Sequence, residues 1–315
     1  MPDDRIAVWA VVVTYEPEPH SLNELFASLE GQIKGIVCVH NSPTKEKEPQ
    51  RYPPCTCSCV HIHMGRNAGL ATAQNLGCDR AMECGATHVL LMDQDSVPDS
   101  GMVSVLFEAL EQAQSTGRKV AAAAPRYRDA RHRGSASRFV RVRWGRAMLL
   151  PTDAPVVDPD VVVSSGMLIA ATSLRAIGPM DSSLFIDHVD TEWCLRARHL
   201  GYSFCGVNNA YMTHRLGDAW VKPWHCRGEG LVVHTPERYY FMFRNGLLLQ
   251  RRHYVTMRWR ILETKRLLYL FVVYGFALPS GAKRLYWMWR GLRDGIAGVT
   301  GGLPEESIAQ TSHIA

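Results

Sequence analysis

The sequence predicts an α/β fold, in which a mostly parallel β-sheet is flanked by helices and is followed by a C-terminal helical extension. Strand-like and helix-like segments alternate over the first 125 residues, which is typical of a parallel sheet with helices on both faces. Polar clusters follow several of these strands, at the sheet edge where such folds bind ligands. Beyond residue 235 the chain becomes basic, with apolar runs that predict helices.

The elements of the α/β region are predicted from apolar runs bounded by turn formers. Residues 6–14 form the first strand, and a helix follows that Ser21 caps, with Glu24 in the capping-box position. Further strands are predicted at residues 35–40, 60–63, 88–92 and 120–125, and further helices at residues 71–84 and 102–116.

The second half of the α/β region is less regular. Residues 126–146 contain eight arginines with little periodicity. They predict a loop or an irregular hairpin, which either contacts phosphates of a ligand or is simply solvated. Residues 161–171 predict a strand interrupted by Ser164-Ser165-Gly166, and residues 191–200 a helix that stops at Gly201. We therefore expect one domain over residues 1–235 and a helical extension over residues 236–315.

The charge of the chain is unevenly distributed. The net charge is +5, yet residues 236–300 contain twelve Lys and Arg against three acidic residues, so this segment carries +9 and the rest −4. A basic extension on a near-neutral body indicates contact with an anionic surface, such as membrane phosphate. A nucleic-acid partner is not expected, because the basic segment contains no recognisable nucleic-acid-binding module.

The cysteines bear on the compartment. There are nine, an odd number, and the apolar run of residues 6–13 follows an acidic start and is too short for a signal peptide. We therefore expect reduced thiols in a cytoplasmic protein. Cys55-Thr56-Cys57-Ser58-Cys59 could suggest zinc, but its spacing is tighter than the usual Cys-x2-Cys and no matching Cys/His pair is evident, which favours a surface loop.

The most informative motif is Asp93-Gln94-Asp95, which directly follows a predicted buried strand. Two carboxylates at the carboxyl end of a strand could hold a hard divalent ion and, through it, a diphosphate. Taken alone, such a pair is more often a polar exit from the strand. The other motifs of the chain make the metal interpretation the stronger one.

Five motifs in order resemble the inverting glycosyltransferases of family 2. These enzymes have the GT-A fold, a Rossmann-like and mostly parallel sheet flanked by helices. The last two motifs are similar to the bacterial rhamnosyltransferase branch, which is close to polymerising galactofuranosyltransferases. The resemblance covers about residues 6–250 and rests on Val11-Val12-Val13-Thr14-Tyr15, Asn67-Ala68-Gly69-Leu70-Ala71, Met92-Asp93-Gln94-Asp95-Ser96, the segment from Leu184 to Arg196, and His214-Arg215-Leu216-Gly217-Asp218.

The resemblance implies a reaction and roles for residues. Residues 1–235 would be a catalytic domain that moves L-rhamnose from dTDP-L-rhamnose, with inversion, to a hydroxyl of a growing bacterial surface glycan, lipid-linked or of O-antigen type. Asp190 would be the catalytic base, although Asp190 and Glu192 could instead be helix-capping carboxylates. A divalent metal, Mn²⁺ or Mg²⁺, would be held by Asp95, Asp93 and His214.

The resemblance also implies two binding sites. The donor would contact Thr14, Tyr15, Asn41, Arg66, Asn67, Gly69 and Asp93. The acceptor would contact Asp187, Glu192 and Trp193, with the indole stacked on a sugar ring.

Two alternatives remain open. Many members of the family have an Asp where this chain has His40, and that Asp is expected to contact the nucleobase, so another donor such as UDP-galactofuranose is possible. A non-catalytic scaffold that binds nucleotide sugars is the second alternative. The complete set of Asp93, Asp95, Asp190 and His214 argues against it.

The C-terminal extension predicts membrane contact. The apolar run of residues 267–278 is too short to span a bilayer, and flanking Lys, Arg and Trp residues favour helices that lie in the membrane interface. The alternative is a helical hairpin packed on the catalytic domain. We expect peripheral contact with the inner face of the plasma membrane, and the family implies a polyprenyl-diphosphate-linked acceptor. Linkage position, number of sugars added and oligomeric state stay open.

Overall fold

The fold is known from a computed structural model that describes residues 6–43, 57–129, 136–214, 219–221 and 231–303. The chain divides into two compact units. The first consists of Met1–Arg141, Met148–Asp181 and Asp190–Arg215, and the second of Val142–Ala147, Ser182–Val189 and Leu216–Ala315. The predicted organisation, with a catalytic domain up to residue 235, stays a prediction.

The described residues contain the following strands and helices. The strands are β1 (Val8–Thr14), β2 (Gly35–His40), β3 (Ser58–His63), β4 (His88–Asp93), β5 (Ser96–Pro98), β6 (Val120–Asp129), β7 (Val140–Arg143), β8 (Arg146–Leu149), β9 (Val156–Val157), β10 (Met167–Ala170), β11 (Ser203–His214), β12 (Ala219–Val221) and β13 (Leu231–Val233). The helices are α1 (Pro19–Leu29), α2 (Leu70–Glu83), α3 (Met102–Ser115), α4 (Ala171–Ile177), α5 (Val189–His199), α6 (Pro236–Gln250), α7 (Met257–Val272) and α8 (Gly281–Ala297).

The main sheet of the first unit has nine strands within the described residues. Their order is β3-β2-β1-β4-β10-β6-β11-β5, and β9 pairs with β11. β10 is antiparallel to both of its neighbours, whereas β6 and β11 are parallel to each other. Six strands therefore run in one direction and only β5, β9 and β10 oppose them. The predicted α/β fold with a mostly parallel sheet is confirmed.

Helices cover both faces of this sheet, because its strands are apolar on both sides. Alternate residues of β1, Val8, Ala10 and Val12, join a core cluster with the apolar faces of α1 and α3. On the opposite face α2 packs so closely on β1 that a Cβ added at Gly77 would lie 2.3 Å from Cγ1 of Val11. This two-sided burial explains why β1 and β4 read as continuous apolar runs.

The antiparallel insertion of β10 determines what meets at the carboxyl end of β4. β10 begins where β4 ends, with Met167 paired to Leu91. β5 follows β4 after a two-residue turn and pairs with the end of β11, which aligns Ser96 with His214. The ends of β4 and β11 and the start of β10 therefore come together at one edge of the sheet.

The second unit is built around α6, α7 and α8. Tyr239 and Phe243 of α6 and Met288 of α8 are buried in one apolar cluster, and Tyr240 and Phe241 pack with Trp287 in another. A π-helical turn, Val273–Ala277, follows α7. None of the described helices is long and apolar enough to cross a membrane.

Several elements differ from the sequence prediction. The predicted strand of residues 161–171 is a strand only over Met167–Ala170, and α4 starts directly afterwards. The arginine-rich segment extends β6 to Asp129 and later forms the β7–β8 hairpin, although residues 130–135 lie outside the described residues. The long strand β11 is not predicted from the sequence, because Gly206, Asn208 and Asn209 interrupt its apolar pattern.

The cysteines also differ in part from expectation. Cys57 is disulfide-bonded, so the expectation that all cysteines are reduced is wrong at this position. Thiols are retained at Cys38, Cys59, Cys78, Cys84, Cys194 and Cys205.

Candidate active site

Asp93, Asp95 and His214 form a compact cluster at the carboxyl ends of β4 and β11. One potential ligand atom from each lies within 4.8 Å of the others. Nε2 of His214 is 3.9 Å from Oδ2 of Asp93, and Nδ1 is 3.5 Å from Oδ1 of Asp95. All three side chains are half-buried. Two carboxylates and an imidazole at these distances are a suitable donor set for a divalent metal such as Mn²⁺, so the predicted ligands fit the predicted ion.

Two serines hold the residues of this cluster in place through hydrogen bonds. The Ser96 hydroxyl lies 2.7 Å from Nδ1 of His214 and 2.7 Å from the Ser165 hydroxyl. The Ser165 hydroxyl also accepts a hydrogen bond from the Asp93 backbone N–H at 3.3 Å. Because the Ser96 hydroxyl holds Nδ1, Nε2 of His214 is directed towards Asp93. Hydrogen bonds of this kind orient metal ligands in other proteins.

The turn Ser164-Ser165-Gly166 connects the cluster to Asp190. Oδ2 of Asp190 accepts a hydrogen bond from the Ser164 backbone N–H at 3.3 Å, and Oδ1 accepts one from Thr191 N at 2.7 Å. The next residue of the turn, Ser165, contacts Ser96 and Asp93. One short turn therefore positions both the candidate base and the candidate metal site.

This turn depends on Gly166. Its φ of +80° is a conformation that favours glycine, and its N–H donates to the Leu91 carbonyl at 2.8 Å. A Cβ added here would lie 2.6 Å from Cγ of Pro125 and 2.8 Å from Sδ of Met212. No other residue fits this position without moving the turn.

Tyr127 of β6 is near both parts of the site. Its ring lies edge-on to the His214 imidazole, with 6.3 Å between centroids. Burial, together with the negative charges of Asp129 and Asp190, raises the pKa of the Tyr127 phenol above its ordinary value. Tyr127 is therefore a neutral hydroxyl close to the Asp190 carboxylate, and no motif of the chain points to it.

The predicted donor-binding asparagines organise a loop. The Asn41 amide donates to Oδ1 of Asn67 at 3.0 Å and accepts from the Ala68 N–H at 2.8 Å, and Oδ1 of Asn67 accepts from Gly69 N at 3.1 Å. Gly69 has φ +88° and immediately precedes α2. Arg66 is exposed beside them. Asn41 and Asn67 thus fix the backbone of this loop, and direct contact with a donor stays a prediction.

The end of β1 is tied to both neighbouring strands. The amide of Gln94 exchanges two hydrogen bonds with the backbone of Tyr15, at 2.7 and 3.1 Å, and the Tyr15 side chain is exposed. The Thr14 side chain is fully buried, and its hydroxyl lies 2.9 Å from Nδ1 of His40. Because Thr14 and His40 are both buried, the exposed ring of Tyr15 is the more accessible of the predicted donor contacts.

The structure contradicts the predicted acceptor roles of Glu192 and Trp193. Trp193 is 0% exposed and its indole N–H donates to the Gly178 carbonyl at 3.0 Å, so it offers no face to a sugar. Glu192 is 1% exposed and forms a two-point ion pair with Arg196 one turn later in α5, with oxygen–nitrogen distances of 2.8 and 3.0 Å. Both side chains anchor α5 in the interior of the first unit.

Asp187 belongs to the second unit, in a segment that α6 and α7 hold. Its carboxylate pairs with Arg238 at 3.2 Å. The buried amide of Asn245 donates to the carbonyls of Leu184, Ile186 and Asp187, at 2.8, 2.6 and 3.1 Å. These contacts offset the strain of positive φ angles at Asp187 and His188, 60° and 62°. An acceptor role for Asp187 stays a prediction.

His188, next in this segment, lies beside a buried ion pair between Glu263 and Arg266. Its Nε2 lies 3.2 Å from Oε1 of Glu263, which also receives the Arg266 guanidinium at 2.8 Å. Burial alone would raise the pKa of Glu263, but the charges and hydrogen bonds of His188 and Arg266 hold it below its usual range. The carboxylate therefore stays ionised, and the segment that ends one residue before Asp190 is firmly fixed within the second unit.

Known proteins resemble this chain in sequence and in fold. No family model matches the chain. Over 299 residues the chain is 29% identical to the dTDP-rhamnosyl transferase RfbF of Shigella flexneri, an alignment that covers 94% of this chain and 97% of that protein.

The solved structures that resemble the chain are GT-A glycosyltransferases. S. aureus TarS 1-349 in complex with UDP-GlcNAc has a TM-score of 0.59 at 15% identity, covering 96% of this chain and 83% of TarS 1-349. GalNAc-T7 with UDP, GalNAc and Mn²⁺ has a TM-score of 0.55 at 12% identity, covering 99% of this chain and 58% of GalNAc-T7. The chain spans half of the longer TarS chain. The predicted resemblance to GT-A enzymes and to rhamnosyltransferases is confirmed.

Proposed function

Because this chain is a glycosyltransferase with the GT-A fold, we propose that it transfers L-rhamnose from dTDP-L-rhamnose, with inversion, to a hydroxyl of a growing surface glycan. The observation that carries the proposal is the Ser164-Ser165-Gly166 turn, which links Asp190 on one side to Asp93, Asp95 and His214 on the other. The similarity to a dTDP-rhamnosyl transferase over nearly the whole chain supports the choice of donor.

Asp95, Asp93 and His214 would hold the divalent metal. When bound, such an ion acts as a Lewis acid that stabilises the negative charge of the leaving diphosphate. The three residues lie at the carboxyl ends of β4 and β11, where Ser96 of β5 pairs with His214, and they are supported by Ser96 and Ser165. The site therefore needs little rearrangement to bind the ion. The structural neighbour GalNAc-T7 was crystallised with Mn²⁺, which supports a divalent ion in this fold.

Asp190 would act as the general base. Inversion requires the acceptor hydroxyl to attack the anomeric carbon from the face opposite the diphosphate, and a carboxylate on that face to accept its proton. Asp190 is in the first turn of α5, where the N–H groups and the helix dipole favour the ionised form. The anomeric carbon and the acceptor hydroxyl would then lie between Asp190 and the diphosphate.

The donor can be tested directly. We expect the purified chain with Mn²⁺ to release dTDP from dTDP-L-rhamnose slowly, with water as the acceptor of the sugar, and to bind dTDP more tightly than UDP in calorimetry. Turnover of UDP-galactofuranose with no binding of dTDP would reject the donor but keep the chemistry. Failure of every nucleotide to bind in the presence of metal would favour a role without catalysis.

We further propose that the second unit contacts the cytoplasmic face of the plasma membrane, where a polyprenyl-diphosphate-linked acceptor would be found. α7, α8 and the π-helical turn between them expose large apolar side chains, with exposed fractions of 63% at Leu268, 69% at Phe276 and 68% at Trp289. Basic residues are interspersed with them, as in helices that lie in a membrane interface: Arg258, Lys265, Lys283, Arg290 and Arg293.

We predict that the chain binds vesicles that contain phosphatidylglycerol and that Phe276→Ser with Trp289→Ser weakens binding at least tenfold. A side chain of this size contributes about 1.5–3 kcal/mol when it leaves water. Co-sedimentation measures the effect, and high salt should weaken wild-type binding as well. The control is Leu76→Ser with Leu200→Ser, two exposed apolar residues of the first unit. Equal loss in control and test variants would count against a membrane-binding face.

A further inference from the structure

Five thiol and imidazole side chains share one face of two neighbouring strands at the edge of the main sheet. β2 carries Cys38 and His40, and β3 carries Cys59, His61 and His63. The parallel register aligns Cys38 with His61 and His40 with His63. Because side chains alternate between the faces of a sheet, all five lie on the same side. The predicted roles in glycosyl transfer use none of these side chains as a metal ligand.

Three of these side chains converge. Cys38, His40 and His61 each place one potential ligand atom within 4.8 Å of the other two. Nε2 of His40 lies 3.0 Å from Nδ1 of His61. Two imidazole nitrogens at this distance need a proton or a cation between them, because two lone pairs would repel.

The separation is close to that of a zinc site. With Zn–N bonds of about 2.0–2.1 Å and tetrahedral angles, two ligand nitrogens lie about 3.3 Å apart. His40 and His61 would therefore move apart by only a few tenths of an ångström, as an order-of-magnitude estimate from the same geometry, to hold an ion in place of the proton.

The outer atoms of both rings already have partners. Nδ1 of His40 lies 2.9 Å from the Thr14 hydroxyl, and Nε2 of His61 lies 3.2 Å from Sγ of Cys59. Histidines that bind metals characteristically hold their second nitrogen in this way, which fixes the tautomer and the ring orientation. Nε2 of His40 and Nδ1 of His61 are thus the nitrogens that face each other and Cys38.

Burial suits the neutral form of the central ligand. Cys38 and His40 are both 0% exposed. A neutral imidazole is the form that binds a metal. Sulfur with two imidazoles is a donor set for Zn²⁺, whereas the carboxylate-rich set of Asp93, Asp95 and His214 suits harder ions.

We propose that Cys38, His40 and His61 form a second metal site, which binds Zn²⁺ through one thiolate and two imidazole nitrogens and leaves the fourth position to water. The ion joins β3, an edge strand, to β2. It also fixes His40 against Thr14, at the end of the strand that carries the predicted donor contacts.

Cobalt substitution tests this site in the full-length chain. The protein is prepared without a histidine tag, reduced with a phosphine and stripped of metal with a chelator. We expect Co²⁺ to bind with a thiolate-to-cobalt charge-transfer absorption that reaches a plateau and is displaced by Zn²⁺. The Asp93, Asp95 and His214 site contains no sulfur and cannot produce this band.

Variants identify the cysteine and the histidine that bind the ion. His61→Asn and Cys38→Ser are each expected to abolish the band, and His61→Asn is the more informative because His61 is half-buried near the sheet edge and its loss spares the core. Cys84→Ser and His20→Asn, whose side chains lie elsewhere, should retain it. Zn²⁺ should also raise the Tm of the wild-type chain by more than that of His61→Asn, which keeps only the Asp93, Asp95 and His214 cluster.

Two results would overturn the proposal. One is the absence of a thiolate band in the reduced wild-type chain. The other is a band of full intensity in both His61→Asn and Cys38→Ser, since the sulfur ligands would then come from other cysteines, such as Cys57 and Cys59. Neither result would affect the proposed glycosyl transfer, which the donor experiment measures separately.

Discussion

Asp190→Asn is expected to reduce the rate of sugar transfer by about 10²–10⁴-fold, the usual contribution of a general base, while the affinity for the nucleotide donor is retained. Asparagine keeps a side-chain oxygen that can accept the Thr191 N–H, and it is as favourable as Asp at the start of a helix. What it cannot do is accept a proton from the acceptor hydroxyl. The substitution therefore separates a catalytic carboxylate from one that only caps α5.

A small loss of stability should accompany the loss of activity. The Ser164 N–H donates to Oδ2 of Asp190, and an amide nitrogen at that position no longer accepts, which costs about 1 kcal/mol. Thermal unfolding measures this loss, release of dTDP measures activity, and calorimetry with dTDP measures donor binding. If Asp190→Asn transferred the sugar at the wild-type rate, Asp190 would only cap α5 and would not be the base.

Asp153→Asn is the matched control. Asp153 is an exposed carboxylate of the first unit whose Oδ1 accepts the backbone N–H of the next residue, Ala154, at 3.1 Å, much as Asp190 does with Thr191. It has the same local geometry without the proposed role. We expect Asp153→Asn to leave both turnover and dTDP binding unchanged.

The sequence predicts the residues that are adjacent in the chain, but not all of those that the sheet brings together. Asp93 and Asp95 follow an apolar run, and this pattern indicates them once the other motifs of the chain are considered. His214 can be assigned only by resemblance, because its position beside Ser96 depends on the β5–β11 pairing. In the sequence Ser165 only interrupts a strand, and its contact with Asp93 follows from the antiparallel insertion of β10, which apolar patterning does not reveal.

The errors have a common physical origin. Trp193 follows Asp190 closely in sequence, and an aromatic residue near a predicted site suggests a sugar platform. In α5, however, residues three positions apart lie on the same side of the helix, but this spacing does not determine how deeply each side chain is buried. Trp193 is directed into the interior. Likewise, the cysteine and histidine residues of β3 acquire their partners Cys38 and His40 only through the register of the β2–β3 pair.

Asp95→Asn and Ser165→Ala should affect metal dependence in different ways. The wild-type chain is expected to lose dTDP release in EDTA and to recover it when Mn²⁺ is restored. Asp95→Asn removes a charged ligand, so we expect turnover to fall by at least about 10²-fold and to stay low at saturating Mn²⁺, since the loss of metal charge stabilisation amounts to several kcal/mol.

Ser165→Ala keeps every proposed ligand and removes only the hydroxyl that contacts Ser96 and the Asp93 backbone. Loss of such a supporting group typically weakens metal binding by about 10–100-fold. The Mn²⁺ concentration for half-maximal activity should therefore rise by that factor, with full activity recovered at high Mn²⁺. Ser28→Ala, which removes a hydroxyl that bonds only within α1, should behave as wild type. If the wild-type chain keeps its activity in EDTA, a metal at this site has no part in catalysis. In that case the contacts of Ser165 would matter only for the position of Asp93. A loss of activity in Asp95→Asn would then have to come from direct contact of Asp95 with the donor.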